Sequence, residues 1–304
     1  MRETAISVKG LQKHYGDTKA LAGVDFEVGV GEVFAFLGPN GAGKTTTIEI
    51  LEGYRERSGG EVSVLGVDPG APPRAWRERV GLVLQECELN PLMTVREVVA
   101  LFARFYAAPR PVDETIELVG LAGKRDARIG SLSGGQKRRA DVALGIVGDP
   151  DLIFLDEPTT GFDPGARRHA WTMIEGLRQL GKTVFLTTHY MDEAQHLADR
   201  VAILRAGRIV AQGGIEEIAT QIGRATRIGF VLDGTLGTDE VTAAVSGSVA
   251  IAGDELEIQT SQPQRDLYRL LSLAEDRGVE LPGLEVRRPN LEDVFLELTR
   301  EPER

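Results

Sequence analysis

Eight consecutive residues, Gly38-Pro39-Asn40-Gly41-Ala42-Gly43-Lys44-Thr45, have the types and spacing of a loop that holds phosphate. In such a loop successive backbone N–H groups turn inwards and the following helix presents the positive end of its dipole, so phosphate oxygens meet donors from both. Gly41 and Gly43 permit close approach, Lys44 reaches the β- and γ-phosphates as a point charge, and the Thr45 hydroxyl ligates Mg2+, with Thr46 beside it opening the helix. A second pair, Asp156-Glu157, ends the apolar run Leu152-Ile153-Phe154-Leu155. Ligands of open α/β sheets sit at the carboxyl ends of strands. There Asp156 is suited to hold Mg2+, through water, and Glu157 to orient the water that attacks a γ-phosphorus, with Pro158 stiffening the exit. The chemistry this predicts is Mg2+-dependent hydrolysis of a nucleoside triphosphate.

These residues need strands and helices in a set order. Residues 5–36 alternate and carry turn signals at Gly16-Asp17 and Gly29-Val30-Gly31, predicting short antiparallel strands before a buried strand at 33–37. After the loop, Thr46 to Glu52 reads as a helix ending near Gly53. From 93 to 144 the pattern is helical, with Val98, Leu101, Phe102 and Phe105 on one face and Ile116, Leu118 and Val119 behind them. The runs 152–155, 184–186 and 201–204 are continuously apolar, as parallel strands covered on both faces should be. The expected fold is α/β: a doubly wound core of P-loop type with an antiparallel β edge and a helical subdomain over about 86–145. The texture changes near 218. No lysine follows Lys182, and short strands at 227–232 and 249–260 precede a helix near 264–277, predicting a small α/β accessory domain over 219–304 after a main domain at 1–218. Its last helix is expected to take Asn290 as N-cap, Glu292 and Asp293 in its first turn, and Leu291, Val294, Phe295 and Leu298 on one face.

Composition removes several classes. A chain of 304 residues with net charge −11 has no overall positive field to hold a polyanion, so nucleic acid is not expected as a partner. The single cysteine, Cys87, cannot bridge within the chain, and no Cys/His cluster has zinc spacing. The longest apolar runs fall far short of the about 20 residues that span a bilayer, and the first residues lack the apolar centre of a signal peptide. A cytosolic setting is expected.

Leu132-Ser133-Gly134-Gly135-Gln136 lies between the phosphate loop and the Asp156-Glu157 strand. Chance would place that pentapeptide in a chain of this length roughly once in a few thousand sequences, so a flexible Gly-rich turn is a poor explanation of it. With the other two motifs, the chain resembles the ATP-binding subunit of an ABC transporter over nearly all of residues 5–218. The resemblance implies ATP and Mg2+ as cofactors. It implies that Tyr15 stacks on adenine, that Gln85 reaches Mg2+ and the attacking water, that His189 hydrogen-bonds the γ-phosphate, and that Asp163 contacts another subunit. It also implies that Ser133, Gly134 and Gly135, with Gln136 beside them, bind ATP held by a second copy, so that two chains close head to tail on two nucleotides. Phe162 stands where the family more often has leucine.

The tail Pro289–Thr299 and the stretch Thr188–Ala194 resemble the drug-exporter ATPases of the daunorubicin-resistance type. This implies a separately encoded membrane permease, export of a lipophilic or drug-like compound, and a place on the cytoplasmic face of the membrane. Two other classes are weighed against it: a soluble ABC-type ATPase acting on ribosomes or nucleic-acid complexes, and a regulator that binds nucleotide without turnover. The first usually joins two cassettes or carries coiled coils or zinc cysteines; the second sits badly with Lys44, Asp156, Glu157 and His189 all in place. Lys137-Arg138-Arg139 reads as a solvated or ion-paired helix face, and His14, His169 and His196 as ordinary surface or packing residues.

Overall fold

The computed structural model describes residues 3–83, 89–221, 226–232 and 236–287, with 291, 292, 295 and 298. They fall into two compact units, Met1–Gly213 and Gly214–Arg304, a break a few residues before the change of texture near 218.

In the first unit β1 (Thr4–Tyr15) and β2 (Thr18–Gly29) pair antiparallel about the turn at Gly16, where φ is 57°. Then come β3 (Val33–Leu37), α1 (Lys44–Leu51) and β4 (Gly59–Val64), the last pairing with the free side of β1. Next are α2 (Arg74–Glu78), β5 (Val80–Val83), α3 (Val95–Ala103), α4 (Val112–Leu118) and α5 (Gly134–Ile146). The unit closes with β6 (Leu152–Asp156), α6 (Pro164–Gln179), β7 (Thr183–Thr188), α7 (Met191–Leu197), β8 (Arg200–Arg205) and β9 (Arg208–Gly213).

The central sheet has the order β5-β6-β7-β3-β8-β9, with β9 antiparallel to its neighbour and the rest parallel. Every residue of β3, β6 and β7 is buried, as the uninterrupted apolar runs require. Phe34, Phe36, Phe154 and Phe185 project from one face, and Phe26 of β2 meets three of them with ring centroids 5.4–5.9 Å apart. This aromatic layer binds the antiparallel sheet to the parallel one and fixes the floor under the phosphate loop.

The helical region departs from the expected face. α3 buries Val95, Val98, Val99 and Ala103, whereas Leu101 is exposed and Phe105 lies beyond the helix end, 64% exposed. The apolar stripe runs in phase from Val95, at steps of three and four, and Leu101 falls between those steps. α5 lies directly on β5. A Cβ at Gly81 would stand 2.3 Å from the Gly145 carbonyl oxygen, and one at Gly145 would stand 2.8 Å from Val83 Cγ2. Gly81→Ala is therefore expected to destabilise the chain by about 2 kcal/mol, read as a lower urea midpoint at constant m. An unchanged midpoint would mean that α5 is not seated by this contact.

The second unit contains α8 (Ile215–Gln221), β10 (Thr226–Val231), α9 (Thr238–Ala244), β11 (Ser248–Ala252), β12 (Glu255–Thr260), α10 (Pro263–Arg277) and β13 (Glu285–Arg287). Its strands form an antiparallel sheet of order β11-β12-β10-β13 around Ile228, Phe230, Val241, Leu256, Ile258 and Leu270. The stretch 249–260 is a hairpin, turned at Gly253 with φ 67°. Leu291, Glu292, Phe295 and Leu298 are helical, and Leu291 is buried. Asn290, Asp293 and Val294, expected in the same helix, lie outside the described residues.

Candidate active site

Sheet order brings three distant segments together. β6, β7 and β3 are neighbours, with Asp156 opposite Thr187 and Leu37 opposite Thr188, so their carboxyl ends are level. From those ends emerge Glu157, His189 and the loop to Lys44. Lys44, only 5% exposed, donates from Nζ to the Gly38 oxygen at 2.7 Å and the Pro39 oxygen at 3.3 Å, and lies 3.3 Å from Glu157 Oε1. His189 Nδ1 is also 3.3 Å from Glu157 Oε1, close enough for charge to be felt but without the alignment of a good hydrogen bond.

The loop is seated by its glycines. A Cβ at Gly38 would stand 2.5 Å from the Leu204 oxygen; one at Gly43, where φ is 108°, would stand 2.8 Å from the Ala20 oxygen. Gly43 thus serves close packing on β2 as well as the turn into α1. Asn40, Gly41, Lys44, Thr45, Thr46 and Glu157 line a depression of about 340 Å³, and Thr45 is exposed in it. Thr45 and Asp156 supply hard oxygen donors. Two hard oxygen donors suit Mg2+ shared with phosphates and water, and among the described residues no group of three or more His, Cys, Asp or Glu could hold a metal alone.

The two acids differ in surroundings. Burial raises the Asp156 pKa and the Glu157 charge adds to this, outweighing the Thr187 hydroxyl, Lys44 and Arg138. For Glu157 burial also pushes upwards, but Lys44, the Thr160 hydroxyl and His189 prevail and hold the carboxyl below its ordinary value. One chain therefore carries an acid stabilised as the anion next to an acid that a bound cation would ionise. Glu157 adopts φ 45°, and its N–H donates to both the carbonyl and the hydroxyl of Thr187, each at 3.1 Å. A left-handed residue other than glycine stores about 1–3 kcal/mol, held here by the fixed end of β7.

A second depression, of about 820 Å³, is formed by Ser133–Arg139 with Thr160, Phe162 and Asp163. Ser133 caps α5: its Oγ accepts from Gln136 N at 3.3 Å while the Gln136 side chain accepts from Ser133 N at 3.0 Å. Gly134 needs explanation, since a Cβ there would meet nothing within 4 Å and its φ is not positive. Its own chain imposes no glycine. Asp163 caps α6, accepting from Gly165 N and Ala166 N at 2.9 Å each. Tyr15 closes β1, 42% exposed, with Lys13 Nζ 5.1 Å and Arg55 Cζ 5.3 Å from its ring centre. Gln85 and Cys87 lie outside the described residues.

One expectation is overturned. Arg138, read as part of a solvated or ion-paired face, is buried and donates to the Asp156 carbonyl oxygen at 3.0 Å and the Pro158 carbonyl oxygen at 3.4 Å. It fastens α5 to the exit of β6. The signal available was its place four residues before Val142, on the inward side of α5.

Glu52, the residue capping the carboxyl end of α1, has its pKa raised from 4.5 to about 8, by burial first and then by the charges of Asp156 and Glu49. Between those values the unfolded chain ionises Glu52 while the folded chain keeps its proton, so stability falls as pH rises through the window. Glu52→Gln is expected to match wild type near pH 4.5 and to exceed it by about 1–2 kcal/mol at pH 8 in urea unfolding. A constant difference across that range would contradict the shift.

Comparison with known proteins follows the same division. The ABC transporter family matches residues 21–160, and the ABC transporter C-terminal-domain family matches 226–290. The chain is 39% identical to the Nod factor export ATP-binding protein I of Burkholderia orbicola, over 98% of each chain. It is 37% identical to the daunorubicin resistance ATP-binding protein DrrA3 of Streptomyces coeruleorubidus, over 100% of this chain and 98% of that one. Among solved structures, a dimeric post-hydrolysis ATP-binding cassette bound to ADP and Pi superposes with a TM-score of 0.61 at 25% identity, covering 69% of this chain and 98% of its own.

Proposed function

The chain belongs to the ABC transporter family of ATP-hydrolysing subunits, and we propose that it powers export of a lipophilic or drug-like compound through a separately encoded membrane permease. The observation that carries the export reading is the extent of the match. The solved cassette accounts for 69% of the chain, whereas the two export and resistance relatives extend through the second unit as well. No described helix is long and apolar enough to cross a membrane, in keeping with a peripheral subunit on the cytoplasmic face. The helical segment leaves Leu92, Leu101 and Phe105 exposed, apolar surface that a permease helix would cover.

In this reading the backbone of Gly38–Thr46 holds the triphosphate, Lys44 turns from the Gly38 and Pro39 oxygens to the β- and γ-phosphates, and Tyr15 stacks on the base. Thr45, Asp156 and Gln85 would hold Mg2+, which would neutralise charge on the phosphates. Glu157, anionic and fixed by the left-handed turn at the end of β6, orients the attacking water and receives its proton; His189 donates to the γ-phosphate. Ser133, Gly134, Gly135 and Gln136 serve the nucleotide of a second copy. The two depressions are distinct within one chain, and the bare surface of Gly134 suits close approach by a phosphate from outside. Closure of two chains on two ATP, hydrolysis and reopening then drive the permease.

The test is to trap tagged Glu157→Gln protein with ATP and Mg2+ in its own host, solubilise the membranes gently and identify what stays bound. A polytopic membrane protein that dissociates with ADP is the expected result. Ribosomes or DNA-repair proteins in its place would overturn the transporter reading.

A further inference from the structure

Glu193 is a fully buried acid that the proposed mechanism leaves unused. It lies on α7 with no exposure, and both carboxylate oxygens are enclosed. Around it stand the hydroxyls of Thr188 and Thr159 and the indole of Trp171, with the charge of Arg167 close by. Thr188, Thr159 and Trp171 each offer it a donor, at geometry short of an ideal hydrogen bond, and among the described residues Thr159 Oγ1, Trp171 Nε1 and Arg167 Nε have no other partner. These residues come from three places: Thr159 follows Glu157 by two positions, Arg167 and Trp171 belong to the helix that Asp163 caps, and Thr188 precedes His189.

The same elements are gripped from outside. The Arg167 guanidinium lies 4.2 Å from the Tyr190 ring centre, that ring lies 4.1 Å from the His189 ring, and Arg167 Nη1 donates to Asp192 Oδ2 at 3.1 Å. A chain of contacts thus runs from the Asp163 helix through Tyr190 to His189, with Glu193 beneath it. A buried carboxyl facing so few finished bonds costs stability, and an apolar side chain of that size would cost less. Its use must lie elsewhere.

We propose that Glu193 is a positioning residue for His189: it draws the Thr159–Asp163 loop and the His189 loop onto one acceptor group, so that displacement of either moves the other. This rests on the roles given above to Glu157 and His189. The Trp171 N–H can only donate and the Thr159 and Thr188 hydroxyls can donate, so two carboxylate oxygens can accept from all three, whereas an amide offers one oxygen and turns its NH2 against the remaining donors.

The test uses the full chain and a kinetic cycle of wild type, Glu193→Gln, His189→Ala and the double variant, with Glu157→Gln as the check on the hydrolytic reading itself. Glu193→Gln is expected to lower kcat about tenfold with KM for ATP within about twofold, and to lower it less than about twofold further on the His189→Ala background. Multiplying losses would overturn the inference, since a general weakening of the fold acts equally on both backgrounds. A second readout does not need turnover. The chain has two tryptophans, so Trp76→Phe leaves Trp171 as sole reporter. Its emission is expected to shift when ATP is added, and to stay unmoved once Glu193→Gln is combined; an equal shift in both would overturn the coupling. If Glu193→Gln does not fold, Trp171→Phe, which removes one donor, takes its place in the same kinetic cycle with the same expected non-additivity.

Discussion

Glu157→Gln is expected to keep ATP binding and lose turnover by about 100-fold or more. The substitution preserves shape and the Thr160 contact, but removes the charge that Lys44 and His189 both face. Lys44 retains its bonds to the Gly38 and Pro39 oxygens, so the loop should keep its form. What is lost is the base: an amide cannot take the proton of the attacking water. Phosphate release with Mg2+-ATP measures one half, and equilibrium binding of a fluorescent ATP analogue the other. Turnover within tenfold of wild type would remove Glu157 from the reaction. Wild-type protein that binds ATP without measurable turnover, alone or with its permease, would instead favour the regulator.

Ser133→Arg is expected to abolish ATP-dependent dimerisation and to lower turnover by about as much, while one chain still binds ATP. Ser133 and Gly134 are exposed at the amino end of α5, where a phosphate held by another chain would meet free N–H groups and the helix dipole. An arginine there fills the approach. It also deletes the cap, at a cost of about 1 kcal/mol, so Ser133→Ala is the control that loses the cap and keeps the space. The measurement is sedimentation of each variant in the Glu157→Gln background, with and without ATP. Dimers formed equally well by Ser133→Arg would mean that Ser133 does not face the partner's nucleotide.

Legibility divides along a physical line. The buried strands 33–37, 152–155, 184–186 and 201–204 were readable because a strand covered on both faces must be apolar throughout. The exposed Leu101 and Phe105 misled because periodicity gives a stripe but not its phase, and the phase of α3 is set by what Val95 packs against. Arg138 misled for a related cause: a guanidinium is read as solvent-facing until the carbonyls that receive it are known, and those of Asp156 and Pro158 lie some twenty residues away. Glu193 gave no local sign at all, since neighbours such as Asp192 look the same in sequence and are exposed.

By itself the sequence determined the parts whose chemistry is local. A phosphate cradle needs glycines and a lysine at fixed steps before a helix, and a capped helix needs its serine and glutamine three apart, so Gly38–Thr46 and Ser133–Gln136 are written in consecutive residues. Only the tertiary structure decided which distant ends meet. Nothing in residues 37, 157 and 189 says that their strands are neighbours; the order β6-β7-β3 does, and it places Lys44 and His189 on the same carboxylate oxygen. That order is a property of how three apolar faces share one aromatic floor, an energy summed over the whole sheet rather than held by any stretch of chain.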